Sequence, residues 1–152
     1  MTAIDVLKEL NLLHPTVVEP SRSEKLHKIA KDYVLNGLGA KKFDAIPYDE
    51  YVVLRAPLCS GGSEYPLTGK ENLREQWWAP LPGLLKGVDM IDTYVNKEET
   101  AVTVEFYCHL IQPACTLRVV DRFIVNENDL ITEQENFFDP RDVTNPGWRT
   151  MD

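Results

Sequence analysis

One carboxylate interrupts an otherwise apolar strand pattern, and its chemistry is the most specific that the sequence offers. Asp121 belongs to the alternating set Leu117, Val119, Asp121, Phe123 and Val125. A carboxylate on a buried apolar surface is unfavourable unless it is protonated or paired. We expect burial to raise the pKa of Asp121, so that its neutral form can donate a hydrogen bond to a ligand oxygen. An ion pair with Arg118 or Arg122 is the alternative, and it would make Asp121 structural.

Tyr33 is the second candidate, because it lies in the apolar stripe of a helix. The stripe recurs at helical spacing and contains Leu26, Ile29, Ala30, Tyr33, Val34 and Gly37. The Tyr33 hydroxyl would be a second donor to a ligand oxygen, or it would find a backbone partner in the core. Glu105 and His109 are weaker candidates for a general base, and pairing across the outer face of the sheet is the alternative for His109.

Helix signals come first along the chain, and strand signals follow. A short helix is predicted between Thr2 and Pro15. The Ser21–Glu24 capping pattern predicts a helix that ends at Gly37 and Gly39, and Thr68–Glu71 opens another that carries Trp77 and Trp78. Strands are predicted at 51–54, 88–95, 100–111, 115–125 and 129–138. Helices followed by a meander of strands indicate an α+β fold.

One hairpin can be given a register from its turn. With Pro113 and Ala114 as a two-residue loop, Val104 faces Phe123, and Glu105 meets Arg122 on the other side of the sheet. His109 then meets Arg118. This register turns Glu105 and His109 away from the apolar face that holds Asp121.

Length, charge and cysteine content exclude several classes of partner and cofactor. The 152 residues fit one domain, with an N-terminal extension over 1–20 and a C-terminal tail over 141–152. A net charge of −8 argues against a nucleic acid or an anionic membrane as partner. The three cysteines lack metal-ligand spacing, and neither a P-loop nor a dinucleotide fingerprint is present, so no metal or cofactor is expected. With no secretory signal at the N-terminus, we expect a cytoplasmic protein with reduced thiols.

Four segments, in this order and spacing, resemble the ketosteroid isomerases and their SnoaL-like relatives in the nuclear transport factor 2 superfamily. They are Tyr33–Asn36 with Phe43–Asp44, Pro66–Leu73, Val119–Phe123, and Asn136–Pro140. The resemblance implies a cone-shaped, curved antiparallel sheet with N-terminal helices enclosing a pocket. It also implies a homodimer, which we expect to form through the outer sheet face.

The chemistry of these relatives carries over in part. The resemblance places Tyr33 and Asp121 at the two positions of the isomerase oxyanion hole. It places Ala56 where the isomerase has its general base, so ketosteroid isomerisation is not expected. The catalytic positions of limonene epoxide hydrolases become Thr103, Glu105 and Asn136, a set that does not reproduce their Arg and two Asp.

Three functions remain open at this point. The first is a cofactor-independent isomerase, dehydratase or cyclase that acts on an apolar or aromatic metabolite. The second is a non-catalytic binder of such a molecule, and the third is a dimeric interaction domain with a vestigial cavity. In the first two, the ligand is expected to contact Trp77, Phe106, Val119, Phe123 and Asn136. A base in the cavity favours the first, and an apolar cavity with a neutral Asp121 favours the second.

Overall fold

The frame of the molecule is a curved, unclosed sheet of six strands with helices on its concave side. The computed structural model describes Thr2 and residues 18–150, so the helix predicted before Pro15 lies outside the described residues. The helices are α1 (Arg22–Asp32), α2 (Lys70–Asn72), α3 (Leu81–Leu84) and α4 (Arg141–Thr144). The strands are β1 (Tyr48–Arg55), β2 (Leu67–Thr68), β3 (Leu85–Val95), β4 (Ala101–Leu110), β5 (Cys115–Val125) and β6 (Ile131–Phe137).

The strand order across the sheet is β2-β1-β6-β5-β4-β3. The four long strands β3 to β6 form the predicted antiparallel meander. β1 pairs with β6 in parallel, and β2 pairs with β1 antiparallel. The α+β prediction is therefore confirmed, and the sheet has one parallel pair that the sequence reading did not include.

The long N-terminal helix begins where the capping pattern predicts. The Ser21 hydroxyl accepts a hydrogen bond from the backbone N–H of Glu24 at 3.1 Å. After α1, the segment Tyr33–Gly39 continues as a π-helix and ends at Gly39. Gly37 lies within this segment and does not end it. A Cβ at Gly37 would lie 2.8 Å from Cδ1 of Ile46, so the absent side chain permits close packing there.

The second helix begins differently from the prediction. Thr68 belongs to β2 and does not cap α2. Gly69 stands at the cap position with φ at +93°, a conformation that residues with a Cβ rarely adopt. After α2, the segment Leu73–Trp78 is π-helical and brings Trp78 into the core.

The hairpin between β4 and β5 is shifted by two residues from the predicted register. Val104 pairs with Asp121 and Leu110 with Cys115, so the turn takes the four residues 111–114. The backbone N–H of Ile111 donates to the Leu84 carbonyl at 2.8 Å, which continues the contact of β4 with β3 into the turn. A shift of two residues leaves every side chain on its predicted face.

The core lies between α1 and the concave face of the sheet. Leu26, Ala30 and Val34 are fully buried, and α1 packs against β3 and β4. Over residues 18–150, no helix is long and apolar enough to cross a membrane.

Candidate functional site

An apolar cavity of about 130 Å³ opens between the concave sheet face, the short helices and the C-terminal segment. An apolar cavity of about 150 Å³ holds one benzene molecule, so this one accommodates a compact group of about one ring. Leu58 is 39% exposed and lies where the cavity meets solvent. The lining residues are Tyr33, Leu38, Leu58, Trp77, Leu81, Leu84, Leu85, Phe106, Cys108, Leu110, Gln112, Leu117, Val119, Asp121, Asn136, Phe138 and Val143.

Asp121 is fully buried in the wall of this cavity. Burial raises its pKa from 3.8 to about 7, while the Asn136 amide and the nearby Tyr33 hydroxyl act to lower it. Arg118 and Arg122 project from the other face, where they pair with Glu105 and Glu135. The carboxyl therefore has no cation to hold it ionised within the described residues.

Asp121 and Asn136 form a pair that leaves two oxygen atoms unsatisfied. The Asn136 Nδ2 group donates to Oδ1 of Asp121 across the β5–β6 pairing. Oδ1 of Asn136 has no hydrogen-bond partner among the described residues, and Oδ2 of Asp121 has none at hydrogen-bond geometry, although the Tyr33 hydroxyl is near enough to this carboxyl to lower its pKa. Buried polar atoms normally have partners, so these two oxygens mark a place where a ligand would complete the bonding.

The Tyr33 hydroxyl is held by a buried side-chain network. Gln134 Nε2 donates to it at 2.9 Å, and the Tyr48 hydroxyl donates to Oε1 of Gln134. Because the Tyr33 oxygen accepts from Gln134, its own proton is available to Asp121 or to a ligand. Burial, followed by the charge of Asp121, raises the pKa of Tyr33 well above its ordinary value, so the phenol remains a donor.

The aromatic residues predicted to bind ligand divide into two groups. Trp77 and Phe106 line the cavity, as do Val119 and Asn136. Phe123 does not line it: the side chain is fully buried, and its ring packs against that of Tyr33 at a centroid distance of 4.8 Å. Phe123 therefore packs against the Tyr33 ring and is not exposed to a ligand in the cavity.

The two weaker base candidates, Glu105 and His109, lie on the opposite face of the sheet. Glu105 accepts from Arg118 at 2.6 Å, and His109 Nε2 lies 2.7 Å from Oδ2 of Asp89. His109 Nδ1 lies 2.8 Å from the Thr116 hydroxyl. Alternation along β4 gives the physical reason, since Phe106 and Cys108 occupy the inward positions. Neither residue can act on a ligand in the cavity.

Some residues in or beside the cavity were not predicted from the sequence. Gln134, which holds Tyr33, lies two positions before Asn136 on β6 and shares its face, so strand alternation was a usable signal. Phe138, at the end of the predicted last strand, lines the cavity, and so does Val143, although 141–152 reads as a tail. Within that segment, the buried Asp142 accepts from Trp148 Nε1 at 3.0 Å and from Arg149 Nε at 2.8 Å. No local pattern indicated these tertiary contacts.

The polar groups of the cavity are better suited to donating hydrogen bonds to a ligand than to removing a proton from it. Among its described lining residues, the ionisable ones are Tyr33, Cys108 and Asp121. Burial raises the pKa of Cys108 to about 12, so its thiol stays protonated. Ala56, which the resemblance in sequence places at the base position of the isomerases, is fully buried and outside the lining. Residues 18–150 contain no cluster of His, Cys, Asp and Glu suited to a metal ion.

Comparison by sequence finds no relative that identifies the chain. No family model matches it, and no curated protein matches it.

Comparison by structure finds many solved proteins that match the chain. An NTF-2 like protein of unknown function from Burkholderia xenovorans LB400 is 20% identical, with a TM-score of 0.63 over 85% of this chain and 93% of that one. The epoxide hydrolase/cyclase-like enzyme SalBIII is 14% identical, with a TM-score of 0.63 over 80% of this chain and 97% of that one. The chain therefore has the NTF2-like, or cystatin-like, fold.

One structural neighbour holds a small molecule. RV0760c from Mycobacterium tuberculosis, in complex with estradiol-17beta-hemisuccinate, is 16% identical, with a TM-score of 0.60 over 74% of this chain and 93% of that one. At these identities the neighbours establish the fold alone.

Proposed function

We propose that the chain binds a compact, mostly apolar molecule in the cavity and holds one of its oxygen atoms between Tyr33 and protonated Asp121. The observation that carries this proposal is the unpartnered Oδ2 of a fully buried carboxyl in an apolar cavity. A neutral carboxyl and a phenol together supply two donors to one acceptor oxygen. The ligand-bound neighbour of the same fold is consistent with such a use of the cavity.

Binding is favoured over proton-transfer catalysis because the cavity lacks a second acid–base group. Tyr33 and Cys108 both have raised pKa values and remain protonated at neutral pH. An isomerase of this type needs one group to stabilise an oxyanion and another to accept a proton. Asp121 cannot fill both roles in the same protonation state.

The test is the pH dependence of acetophenone binding, measured by calorimetry or NMR. A carbonyl oxygen accepts hydrogen bonds only, so it should bind the protonated form of Asp121. With a pKa of about 7, affinity should be constant below that pH and should weaken above it, towards tenfold per pH unit. Asp121→Asn, which keeps an amide donor, should bind with no such dependence. Wild-type affinity that is unchanged well above neutrality would contradict the proposal.

A second candidate is catalysis in which Asp121 alone is the acid–base group. Its support is the pKa of about 7, near the value at which one group both accepts and returns a proton. Acetophenone in D₂O distinguishes the two functions, because enolisation exchanges its methyl protons. Exchange above the buffer rate that disappears in Asp121→Asn would establish catalysis, whereas binding without exchange supports the binder.

We also propose a homodimer that forms through the outer face of the sheet. Tyr107 is 37% exposed and Phe137 is 46% exposed there, beside the half-buried Val120 and Ile124. Arg118, Arg122 and the facing glutamates give this surface both signs of charge, which a second copy can complement. Light scattering should give about twice the 17.4 kDa chain mass. Val120→Glu should reduce the mass to that of a monomer, and a monomeric wild type would contradict the proposed interface.

The location that we propose is the cytoplasm. All three cysteines are free: Cys59 and Cys115 are half-buried, and Cys108 is buried. Free thiols are typical of reducing compartments. Cell fractionation with an antibody to the chain tests this location.

A further inference from the structure

The cavity contains an acceptor that the proposed oxygen site does not use. Oδ1 of Asn136 is buried and has no partner among the described residues, and Asn136 is only 5% exposed. The Nδ2 group of the same side chain is committed to Asp121. A ligand that offers only an acceptor oxygen would satisfy Tyr33 and Asp121 but would leave this atom without a donor.

The two unsatisfied oxygens belong to side chains on directly paired positions. Asp121 and Asn136 are register partners of β5 and β6, and both line the cavity. Directly opposed side chains on one face stand about 5 Å apart at their Cβ atoms, so one small head group can contact both. With Asp121 protonated, the pair presents a donor next to an acceptor.

Charge limits the head group further. The described residues that line the cavity include no lysine, arginine or histidine. An anionic head group would lose its hydration there without a compensating cation, beside a carboxyl that itself resists ionisation. The head group is therefore neutral.

We infer that the ligand carries a neutral head group with a carbonyl-type acceptor next to a hydrogen-bond donor, as in a carboxamide or a hydroxy ketone, on a compact apolar body. The acceptor takes the Tyr33 and Asp121 donors, and the donor satisfies Oδ1 of Asn136. This inference rests on the proposed binding function and specifies the ligand class of the same site.

The test compares benzamide with acetophenone, which match in size and shape and differ by NH₂ in place of CH₃. Benzamide is the more strongly hydrated of the two and would bind more weakly to a site that lacks an acceptor for its N–H. With Asn136 as the acceptor, we expect benzamide to bind about tenfold more tightly at pH values below the pKa of Asp121. Benzoate, the charged analogue, should bind more weakly than either.

Variants assign the preference to Asn136. Asn136→Leu, of similar size, should abolish the preference, so that benzamide no longer binds more tightly than acetophenone to the same variant. Glu135→Leu, at the next position of β6 and on the opposite face, is the matched control and should keep the preference. If Asn136→Leu does not fold, the affinities of benzamide and acetophenone for the wild type still test the inference. Acetophenone binding as tightly as benzamide would overturn the inference and leave the proposed function standing, whereas failure of both to bind would overturn the proposed function itself.

Discussion

Side chains of the same type have different protonation behaviour and partners on the two faces of the sheet. On the concave face, Asp121 is fully buried without a cation, and its pKa rises to about 7. On the convex face, one strand away, Glu105 is bound by Arg118 at 2.6 Å. The strands β4 and β5 supply both faces by alternation. Asp121 and Glu105 thus differ because alternation buries the first away from any cation and places the second beside an arginine.

Two tyrosines repeat the contrast. Tyr33 is 2% exposed, and its hydroxyl accepts from Gln134 within a buried network. Tyr94 is 52% exposed, and its hydroxyl lies 3.4 Å from Oε1 of Glu105. Removing a hydroxyl from the buried network leaves a buried donor without an acceptor, whereas water replaces the exposed one. The comparison predicts large effects on the concave face and small ones on the convex face.

The largest expected effect is the pH dependence of stability that comes from Asp121. Its pKa is higher in the folded state, at about 7, than its ordinary value of 3.8, so the folded state binds the proton more tightly. Its contribution to the free energy of unfolding is therefore present below about pH 4 and is lost as pH rises to about 7, by an amount on the order of 4 kcal/mol. Urea unfolding of wild type and Asp121→Asn at both ends of this range measures it, since the amide does not titrate.

Glu105→Gln is the matched control for that measurement. It changes an outer-face carboxylate to an amide, and the difference from wild type should stay within about 1 kcal/mol across the same pH range. A wild-type minus Asp121→Asn difference that does not change with pH would show that Asp121 is ionised in the folded state, and the contrast between the faces would be lost.

The next effect concerns Tyr33→Phe. Without the phenol oxygen, Gln134 Nε2 loses its acceptor in a buried setting, so we expect the free energy of unfolding to fall by about 1–3 kcal/mol. Acetophenone should also bind more weakly. Tyr94→Phe on the convex face should change stability by less than about 0.5 kcal/mol. Equal effects of the two substitutions, measured by chemical denaturation, would show that the buried network does not stabilise the fold.

The smallest expected effect is the coupling between Glu105 and Arg118. Their contact is short, at 2.6 Å, but Arg118 is 66% exposed, so water and salt screen the pair. A double-mutant cycle with Glu105→Ala and Arg118→Ala, measured in the Val120→Glu background that keeps the chain monomeric, should give a coupling energy below about 1 kcal/mol. A coupling energy of several kcal/mol in that background would mean that the chain itself shields the pair from water.

Local patterns in the sequence determined the elements and the faces. Ser21 begins α1, the strands of the meander lie close to their predicted bounds, and alternation puts Asp121 inside and Arg118 and Arg122 outside. These features depend on near neighbours in the chain, so a period of two or of 3.6 residues is enough to assign them. The same periodicity predicted that a carboxyl would be buried, but it did not predict which residues would surround it.

The tertiary structure decided the rest, because it depends on residues that are distant in the chain. The four-residue turn of the β4–β5 hairpin and the parallel pairing of β1 with β6 have no local signal. Asn136 reaches Asp121, and Gln134 reaches Tyr33 from 101 positions away, only once β6 has paired and α1 has packed across the sheet. The sequence alone therefore determined that a carboxyl would be buried, and only packing decided that it would face an apolar cavity beside an unsatisfied amide oxygen.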